Sequence, residues 1–497
     1  MYKKSGFIFL FLLVPFFLKA QLQFNENCRE IYSLISDFQF KKAQQLIDEE
    51  RNSHPDNAIA FYLEDFADFL KVFVSEDKIA LNIALENLDL RMEKIKECDA
   101  DSPYYLYCRG EMYLHWAFTR MKFDQNVKAV WDLNKAYRLF EKNEKKYPGF
   151  TPNKITLGLL HALIGTIPDK YTWVAEILSY NGTIAEGRKE ILSAIYDAEQ
   201  REEYQHLKTT AIFILSFIDM NLLKEIPEET ERLFYNEFSE RKVLGKPLML
   251  FVYSDFFAKE KKNEKVLNVL KQYRPQKQEY PFYFLVYLRG LANLNKLNLK
   301  DAREDFKEYV SDFEGRHYIK SAYQKIAWSY LLEGDTINYY RFIRKVRDNG
   351  FCLIDADKQA KNEFDNKKQP ITFLLKSRLL FDGGYFLRAL ETLENGADYC
   401  YTDNCTTEMY YRKARIFDEL DEAEEAVYWY KKTLDTEGDL SRFFVPNAAL
   451  KIGQIYERSD QIIKARYYYQ KCLDMDGFDY EFSIHNKAKA GMNRTAF

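Results

Sequence analysis

Residues 407–417 read TEMYYRKARIF, and residues 425–434 read EAVYWYKKTL. The same order of residue types returns in residues 449–456, ALKIGQIY, and in residues 464–473, KARYYYQKCL. A short polar break separates the two segments of each copy, and the apolar residues recur at steps of three and four. This periodicity predicts two consecutive copies of an antiparallel helix pair.

A small residue in the first segment of each copy sets the positions of the other apolar residues. An aromatic residue follows it by three positions, an alanine by twelve, a second aromatic residue by sixteen and a leucine by twenty. The matched residues are Ala414 and Gly453, Phe417 and Tyr456, Ala426 and Ala465, Tyr430 and Tyr469, and Leu434 and Leu473. Only Ala or Gly fits where two helices approach most closely, and the rings fill the space beside that contact.

This arrangement resembles the tetratricopeptide repeat, a helix-turn-helix unit of about 34 residues. Ala414 and Gly453 are 39 residues apart, which places an insertion around residues 437–446. The resemblance implies an all-α fold, a tetratricopeptide-like α-solenoid of antiparallel helix pairs.

Weaker copies of the pattern run upstream. Gly290, Ala327 and Ser377 mark three of them, and residues 21–56 and 103–148 contain two more. Together with the C-terminal copies, they indicate that helix pairs make up most of the chain.

Two intervals depart from the regular spacing. The step from Gly110 to Ala136 is fourteen residues longer than usual, so either both helices are extended or an extra turn and helix is inserted. The interval from Ala327 to Ser377 is 50 residues, which we attribute to a loop around residues 355–370, rich in Asp, Lys and Asn. Residues 227–280 are the least regular, and we expect an N-terminal lobe of residues 21–226 and a C-terminal lobe of residues 227–497.

The composition favours helices over a β-sandwich. Aromatic residues make up 16% of the chain, while it has only 19 Gly and 12 Pro, fewer turn residues than a sandwich would need. We interpret the rings as packing between helices. Stacked rings could also form a platform for carbohydrate or lipid.

The first 20 residues have the features of a secretory signal. Lys3 and Lys4 precede the apolar run Phe7–Leu18, and the small residue Ala20 precedes the expected cleavage point. The 12-residue run is shorter than the roughly 20 residues that span a membrane. The nearest cysteine is Cys28, so a lipoprotein signal is absent. The end of the segment resembles signals of Gram-negative bacteria, and we expect a periplasmic or secreted protein without a transmembrane segment in its mature chain.

Net charge limits the class of partner. Loss of Lys3, Lys4 and Lys19 with the signal changes the formal charge from −4 to −7. A mildly acidic chain has no overall attraction for nucleic acid or anionic lipid.

Cysteine spacing leaves two interpretations open. Cys98 with Cys108, and Cys400 with Cys405, could form disulfides in an oxidising compartment. Alternatively, these cysteines are buried thiols that pack as small hydrophobic groups. No zinc pattern is present, because neither a second pair nor a nearby histidine completes four ligands around Cys400 and Cys405.

Residues 157–187 form the most unusual segment. An apolar helix that begins LGLLHALIG is interrupted at Ile167-Pro168, and a second short helix ends at the turn Tyr180-Asn181-Gly182 before Gly187. This Gly-Leu-Leu helix, proline break and Gly-x4-Gly step resemble the eukaryotic tetratricopeptide family linked to inclusion-body clearance and to outer mitochondrial and lipid-droplet membranes. The resemblance implies a helical scaffold without a catalytic site. The secretory signal departs from those cytosolic proteins, so this chain would be a secreted bacterial version.

The sequence lacks the usual enzyme motifs. It has no phosphate-binding Gly-x4-Gly-Lys-Ser/Thr loop, no Gly-x-Ser-x-Gly elbow and no His-Glu-x-x-His. The six histidines are scattered, and His161 on the apolar helix suits a hydrogen-bonded core residue better than a ligand or base. We therefore expect no enzymatic activity, no cofactor and no metal. A pocket joining a carboxylate to His115 or His161 would change this expectation.

Function then depends on the concave groove that stacked first helices form. We expect this groove to bind a protein or peptide, with possible association of the protein with the cell envelope. The candidate groove residues are the first-helix positions that the repeat pattern does not use for packing: Arg378, Tyr411, Arg415, Asp418, Asn447, Gln454 and Glu457. The alternative is a solenoid that binds lipid or glycan at the cell envelope.

Overall fold

The structure, a computed structural model, describes residues 20–165, 180–223, 225–274, 280–367, 369–436 and 442–496. Within these ranges the chain forms helices and no β-strand, and an isolated bridge joins Gln21 and Asn57. The predicted all-α fold of paired helices is confirmed.

Contacts among the described residues divide the chain into two compact units. The N-terminal unit contains residues 20–242 with 280–281, and the C-terminal unit contains residues 243–274 with 282–496. Whether residues 21–226 and 227–497 are separate lobes stays a prediction.

The N-terminal unit is built from helices α1–α10. Their bounds are α1 Glu26–Ser36, α2 Phe40–Ser53, α3 Ile59–Ser75, α4 Lys78–Lys96, α5 Pro103–Lys122, α6 Asn126–Lys146, α7 Thr151–Ile164, α8 Ile184–Gln200, α9 Lys208–Leu222 and α10 Glu228–Glu237, with a 3-10 helix at Glu202–Leu207. The division between the units falls within the short helix α11, Glu240–Val243.

The C-terminal unit continues the same arrangement with helices α12–α26. Their bounds are α12 Pro247–Lys259, α13 Asn263–Leu270, α14 Phe284–Lys296, α15 Leu299–Asp312, α16 Ile319–Leu332, α17 Thr336–Ile343, α18 Lys345–Asp348, α19 Asp355–Asn366, α20 Thr372–Asp382, α21 Phe386–Gly396, α22 Asp403–Glu419, α23 Ala423–Leu434, α24 Phe444–Arg458, α25 Ile462–Leu473 and α26 Glu481–Arg494, with a 3-10 helix at Ala397–Tyr399.

The small and aromatic residues of the repeat pattern meet as their spacing predicts. A Cβ atom on Gly453 would lie 2.6 Å from the ring of Tyr469, and one on Gly290 would lie 2.9 Å from the ring of Phe306. Both rings are completely buried. The glycine lets the ring of the second helix lie directly on the backbone of the first, which explains the sixteen-residue step between them.

The long N-terminal copy resolves into two extended helices. Helix α5 has 20 residues and α6 has 21, and they pack against each other as one pair. A Cβ atom on Gly110 would lie 2.8 Å from the ring of Phe140, so this pair keeps the glycine-on-ring contact. The extra fourteen residues therefore lengthen both helices, and no additional helix is inserted.

The predicted loop at residues 355–370 is wrong, because residues 355–366 form helix α19. The buried carboxylate of Asp357 accepts hydrogen bonds from the backbone N–H groups of Tyr318 at 2.8 Å and Ser321 at 2.9 Å. It thus caps the start of α16, where backbone N–H groups have no acceptor within the helix. The Asp- and Lys-rich composition suggested a loop, although one face of this segment caps and packs against α16.

One of the two candidate cysteine pairs is bonded. Cys400 and Cys405 form a disulfide with a Cα–Cα distance of 5.4 Å. Cys98 and Cys108 are separate, buried thiols. Burial raises the pKa of Cys98 to about 11, so this thiol remains protonated at neutral pH.

Several sequence predictions lie outside the described residues. They are the signal segment up to residue 19, the proline break and short helix within residues 166–179, and residues 437–441 of the insertion expected around residues 437–446. Helix α7 ends at Ile164, before residues 166–179, and α8 begins at Ile184, after them. The side chain of Thr183 caps α8 by accepting a hydrogen bond from the Glu186 N–H group.

Candidate functional site

The predicted groove residues lie on α20, α22 and α24, the first helices of three successive pairs. The guanidinium carbon of Arg378 on α20 lies 5.6 Å from the ring centre of Trp328 on α16. The guanidinium carbon of Arg415 on α22 lies 4.1 Å from the ring centre of Phe381 on α20. Each arginine therefore extends over a ring of the preceding first helix, where cation–π attraction holds it.

Tyr411 differs from this pattern because its side chain belongs to the core. It is only 2% exposed and packs in a cluster with Tyr430 and Phe444. Its hydroxyl oxygen accepts a hydrogen bond of 2.6 Å from the Asn447 side-chain amide, which joins α22 to α24. Burial raises the pKa of Tyr411. Tyr411 and Asn447 thus fix the spacing of two first helices, and Tyr411 offers little surface to a partner.

Asp418 and Glu457 are engaged in ion pairs within the unit. Asp418 accepts a hydrogen bond of 2.6 Å from Arg458 and lies 3.8 Å from the ammonium of Lys451. Glu457 accepts two hydrogen bonds from Arg494, at 2.6 and 2.9 Å. The remaining predicted groove residues with partly exposed side chains are Arg378, Arg415, Asn447 and Gln454. Whether any of the set contacts a partner stays a prediction.

A second carboxylate on α22 is surrounded by arginines. Glu408 pairs with Arg412 and lies 3.2 Å from Arg442. Burial alone would raise the pKa of Glu408, but the positive charges of Arg412, Arg442 and Arg378 lower it below its usual value. Three guanidinium groups around one carboxylate leave local positive charge uncompensated by that acid.

Sequence reasoning missed a buried polar cluster on α16. Glu363 of α19 accepts hydrogen bonds from the Trp328 indole at 3.0 Å and from the Gln324 amide at 2.6 Å. Lys325 lies beside them, with its ammonium 4.4 Å from the Trp328 ring centre. Burial, reinforced by the charge of Arg378, lowers the pKa of Lys325 to about 7. No signal in the sequence marked this cluster, because Lys325 lies two residues before Ala327, where the two C-terminal copies also have a basic residue, Arg412 or Lys451.

In the N-terminal unit, His115 lies in a buried network. Its Nδ1 atom is 3.0 Å from Asp65, which also accepts a hydrogen bond of 2.7 Å from the Trp116 indole. Its Nε2 atom is 3.5 Å from Glu111, and its ring stacks on Phe69. Burial lowers the pKa of His115, but hydrogen bonds to Asp65 and Glu111 outweigh it and raise the pKa to about 9. A protonated imidazole between two carboxylates acts as an internal ion pair, not as a base.

His161 on α7 is also hydrogen-bonded, as the sequence predicts. Its Nδ1 atom lies 2.8 Å from a carboxylate oxygen of Glu190 on α8, and its Nε2 atom lies 3.9 Å from Glu141 on α6. His161, Glu186 and Glu190 form one of two groups of potential metal ligands among the described residues. The other is Asp476, Glu481 and His485, near the start of α26.

No helix in the described part of the chain combines the length and apolarity needed to span a bilayer.

Comparisons with known proteins find likeness at the level of structure. No protein-family model and no curated protein matches the sequence. Among solved structures, the chain is similar to the TPR domain of P58(IPK), with 14% identity, coverage of 87% of this chain and 99% of that chain, and a TM-score of 0.21. It is also similar to yeast Tom70, with 13% identity, coverage of 94% and 96%, and a TM-score of 0.23. With TM-scores this low, the tetratricopeptide-like fold rests on the chain's own helix pairs and glycine-on-ring contacts.

Proposed function

We propose that this protein is a non-catalytic scaffold of the periplasm or cell exterior. It binds an extended protein segment along the first helices of its C-terminal unit. The supporting observation is a continuous series of contacts between successive first helices, through Arg378 on Trp328, Arg415 on Phe381 and Asn447 with Tyr411. These contacts hold polar side chains at regular positions along several repeats, the arrangement that an extended segment can follow.

The charge of this surface favours an acidic segment. We define the first-helix face as Arg378, Arg415, Lys451 and Gln454. Three of its four side chains are cationic, with Asp382 at 3.8 Å from Arg378 and Asp418 at 3.8 Å from Lys451. Burial and the charge of Arg415 lower the pKa of Lys451, while Asp418 opposes that effect. A partner carboxylate placed beside Lys451 and Arg415 would relieve this repulsion and form charge-assisted hydrogen bonds.

The disulfide supports a location outside the cytoplasm, and the packing of Gln21 is compatible with cleavage after Ala20. The Cys400–Cys405 disulfide suits an oxidising compartment. The Gln21 N–H group, which directly follows the proposed cleavage point, donates a hydrogen bond of 2.7 Å to the Asp56 carbonyl oxygen. The expected mature N-terminus is therefore packed against the start of the second helix pair, and N-terminal sequencing of the exported protein would begin at Gln21.

Charge reversal on the first-helix face tests the scaffold proposal. Protein complexes would be captured by cross-linking from the cell envelope with wild type, with Arg378→Glu/Arg415→Glu, and with the control Lys432→Glu/Lys464→Glu. The control residues are exposed on the second helices α23 and α25, so both variants change the net charge equally. Both arginines are partly exposed, and the melting temperature of each variant checks that loss of the Arg415–Phe381 contact leaves the fold intact.

The proposal predicts a protein that wild type and the control capture and the arginine variant loses. An acidic peptide from that protein should then bind wild type, and its Glu→Gln form should bind at least tenfold more weakly. Equal capture by all three forms, or no specific protein with any of them, would refute binding at this face.

A further inference from the structure

Helices α7 and α8 approach each other until their backbones touch. A Cβ atom on Gly187 would lie 2.2 Å from the carbonyl oxygen of Gly158, and one on Gly182 would lie 2.6 Å from the Cα atom of His161. The glycines thus bring His161 against the first turns of α8. Glu186 and Glu190 are four residues apart on that helix, so their carboxylates share the face next to His161.

The three side chains converge at distances suited to a small cation. One ligand atom from each of His161, Glu186 and Glu190 lies within 4.8 Å of the others, and Nδ1 of His161 is 2.8 Å from Glu190. Zinc bonds of about 2.0–2.2 Å in a tetrahedral site separate neighbouring ligand atoms by roughly 3.3 Å. The closest pair would therefore open by about 0.5 Å, and a pair at the 4.8 Å limit would close by about 1.5 Å.

The second nitrogen of His161 faces a further carboxylate, beyond hydrogen-bond distance. Its Nε2 atom lies 3.9 Å from Glu141 on α6 and has no hydrogen bond to another described residue. Metal-ligating histidines commonly donate their other N–H group to a carboxylate, which orients the ring. His161 is only 5% exposed, so its ring is held between these two carboxylates.

The local charge also favours a bound cation. Four carboxylates, those of Glu141, Glu144, Glu186 and Glu190, act on this region through their charges.

We propose that His161, Glu186 and Glu190 bind one divalent transition-metal ion, with Glu141 as the carboxylate that orients His161. One imidazole nitrogen and two carboxylate oxygens are ligands that suit Zn²⁺. The ion joins α7 to α8 and thereby stabilises the N-terminal unit. This site lies apart from the first-helix face and does not depend on the partner proposed for it.

The second group of potential ligands provides a natural control. Nε2 of His485 already pairs with the Met475 carbonyl oxygen at 2.9 Å, and Glu481 accepts a hydrogen bond of 2.7 Å from the Gly477 N–H group. Both bonds join the side chains to backbone groups outside the ligand set, whereas the partner of His161 is Glu190, itself a member of its set, so we assign no metal to the C-terminal group.

Zinc titration of the untagged, purified protein tests the site. Isothermal calorimetry with Zn²⁺ should show one equivalent bound by wild type, and Zn²⁺ should raise the melting temperature because it binds the folded state. His161→Gln, Glu190→Gln and Glu186→Gln should each weaken binding at least tenfold. His485→Gln should bind as wild type does.

Glu186 is exposed, so Glu186→Gln tests the site without disturbing the core if His161→Gln fails to fold. The proposal is wrong if wild type binds no stoichiometric Zn²⁺, or if Glu186→Gln binds with wild-type affinity. Loss of binding in His485→Gln with retention in His161→Gln would also overturn it, because the ion would then occupy the C-terminal group.

Discussion

Replacement of Gly187 by alanine should destabilise the N-terminal unit, although helix propensity alone predicts the opposite. Gly187 lies within α8, where alanine is favoured over glycine by up to about 1 kcal/mol. The added Cβ atom would lie 2.2 Å from the Gly158 carbonyl oxygen, 2.8 Å from the Ala162 nitrogen and 3.0 Å from the Ala162 Cβ atom. The two nearest of these atoms belong to the α7 backbone, so no side-chain rotation can relieve the contact.

The size of the effect follows from the distance that the helices must move. Ordinary contact requires 3.4 Å or more, so the backbones must separate by roughly 1 Å. Overpacking of this kind costs about 1–3 kcal/mol, and a contact between two rigid backbones belongs at the upper end. After subtraction of the propensity gain, we expect a net loss of about 2 kcal/mol. For a unit of this size that corresponds to a fall in melting temperature of about 4–8 °C.

Scanning calorimetry of wild type, Gly187→Ala and Gly149→Ala would measure the difference. A Cβ atom on Gly149 would have no other atom within 4 Å, and this glycine lies in an exposed turn. Alanine at residue 149 should therefore be neutral or should stabilise by less than about 1 kcal/mol. A melting temperature of Gly187→Ala equal to or above that of wild type would show that α7 and α8 do not touch through their glycines.

Three further results follow from individual side chains. Because His115 has a folded pKa of about 9, its ion pairs contribute fully to the free energy of unfolding below its unfolded pKa, and this contribution is lost as pH rises through 9. Calorimetry should therefore show a melting temperature that falls over this pH range in wild type and falls less in His115→Gln. Loss of the Cys400–Cys405 disulfide by Cys400→Ser should cost about 2 kcal/mol in denaturant titrations, and mass spectrometry should find five alkylated cysteines before reduction and seven after it. The folded pKa of Lys325 is lowered to about 7, so the buried charge destabilises the folded state most below pH 7, and this destabilisation decreases as pH rises towards the unfolded pKa. Lys325→Met should therefore have a higher melting temperature than wild type at pH 6, and the difference should be smaller at pH 10.

Contacts within a helix pair were predictable from the sequence. The contact of Gly453 with Tyr469, and that of Gly110 with Phe140, each join residues of two consecutive helices. Their spacing is fixed by two helix lengths and one turn, so periodicity alone reveals them. The all-α class follows in the same way, because nearly every long segment repeats this spacing.

Contacts between pairs were not predictable in the same way. Asp357 caps the start of α16 from 36 residues away, and nothing in the local sequence distinguishes it from the solvated acids around it. The repeat pattern places Tyr411 in the groove because its own repeat leaves that position free. Besides Tyr430 of its own pair, Tyr411 contacts Phe443 and Phe444, which precede or begin the first helix of the next pair.

The convergence of the candidate metal ligands was also not predictable from the sequence. His161 and Glu190 are 29 residues apart, and residues 166–179 lie between their helices. The sequence shows an isolated histidine on an apolar helix and two glutamates on another. Their convergence depends on the close approach that Gly158 and Gly187 permit, which required the three-dimensional arrangement.

Site-specific photo-cross-linking would show whether a protein segment lies along the first helices of the C-terminal unit. A photoreactive residue would replace Gln454, which is partly exposed on α24, or Lys464, which is exposed on α25. Irradiation of cells that export these variants should join one partner protein to residue 454 and leave residue 464 unlinked. Equal cross-linking at both positions, or a partner joined only to residue 464, would show that the partner does not bind along the first helices.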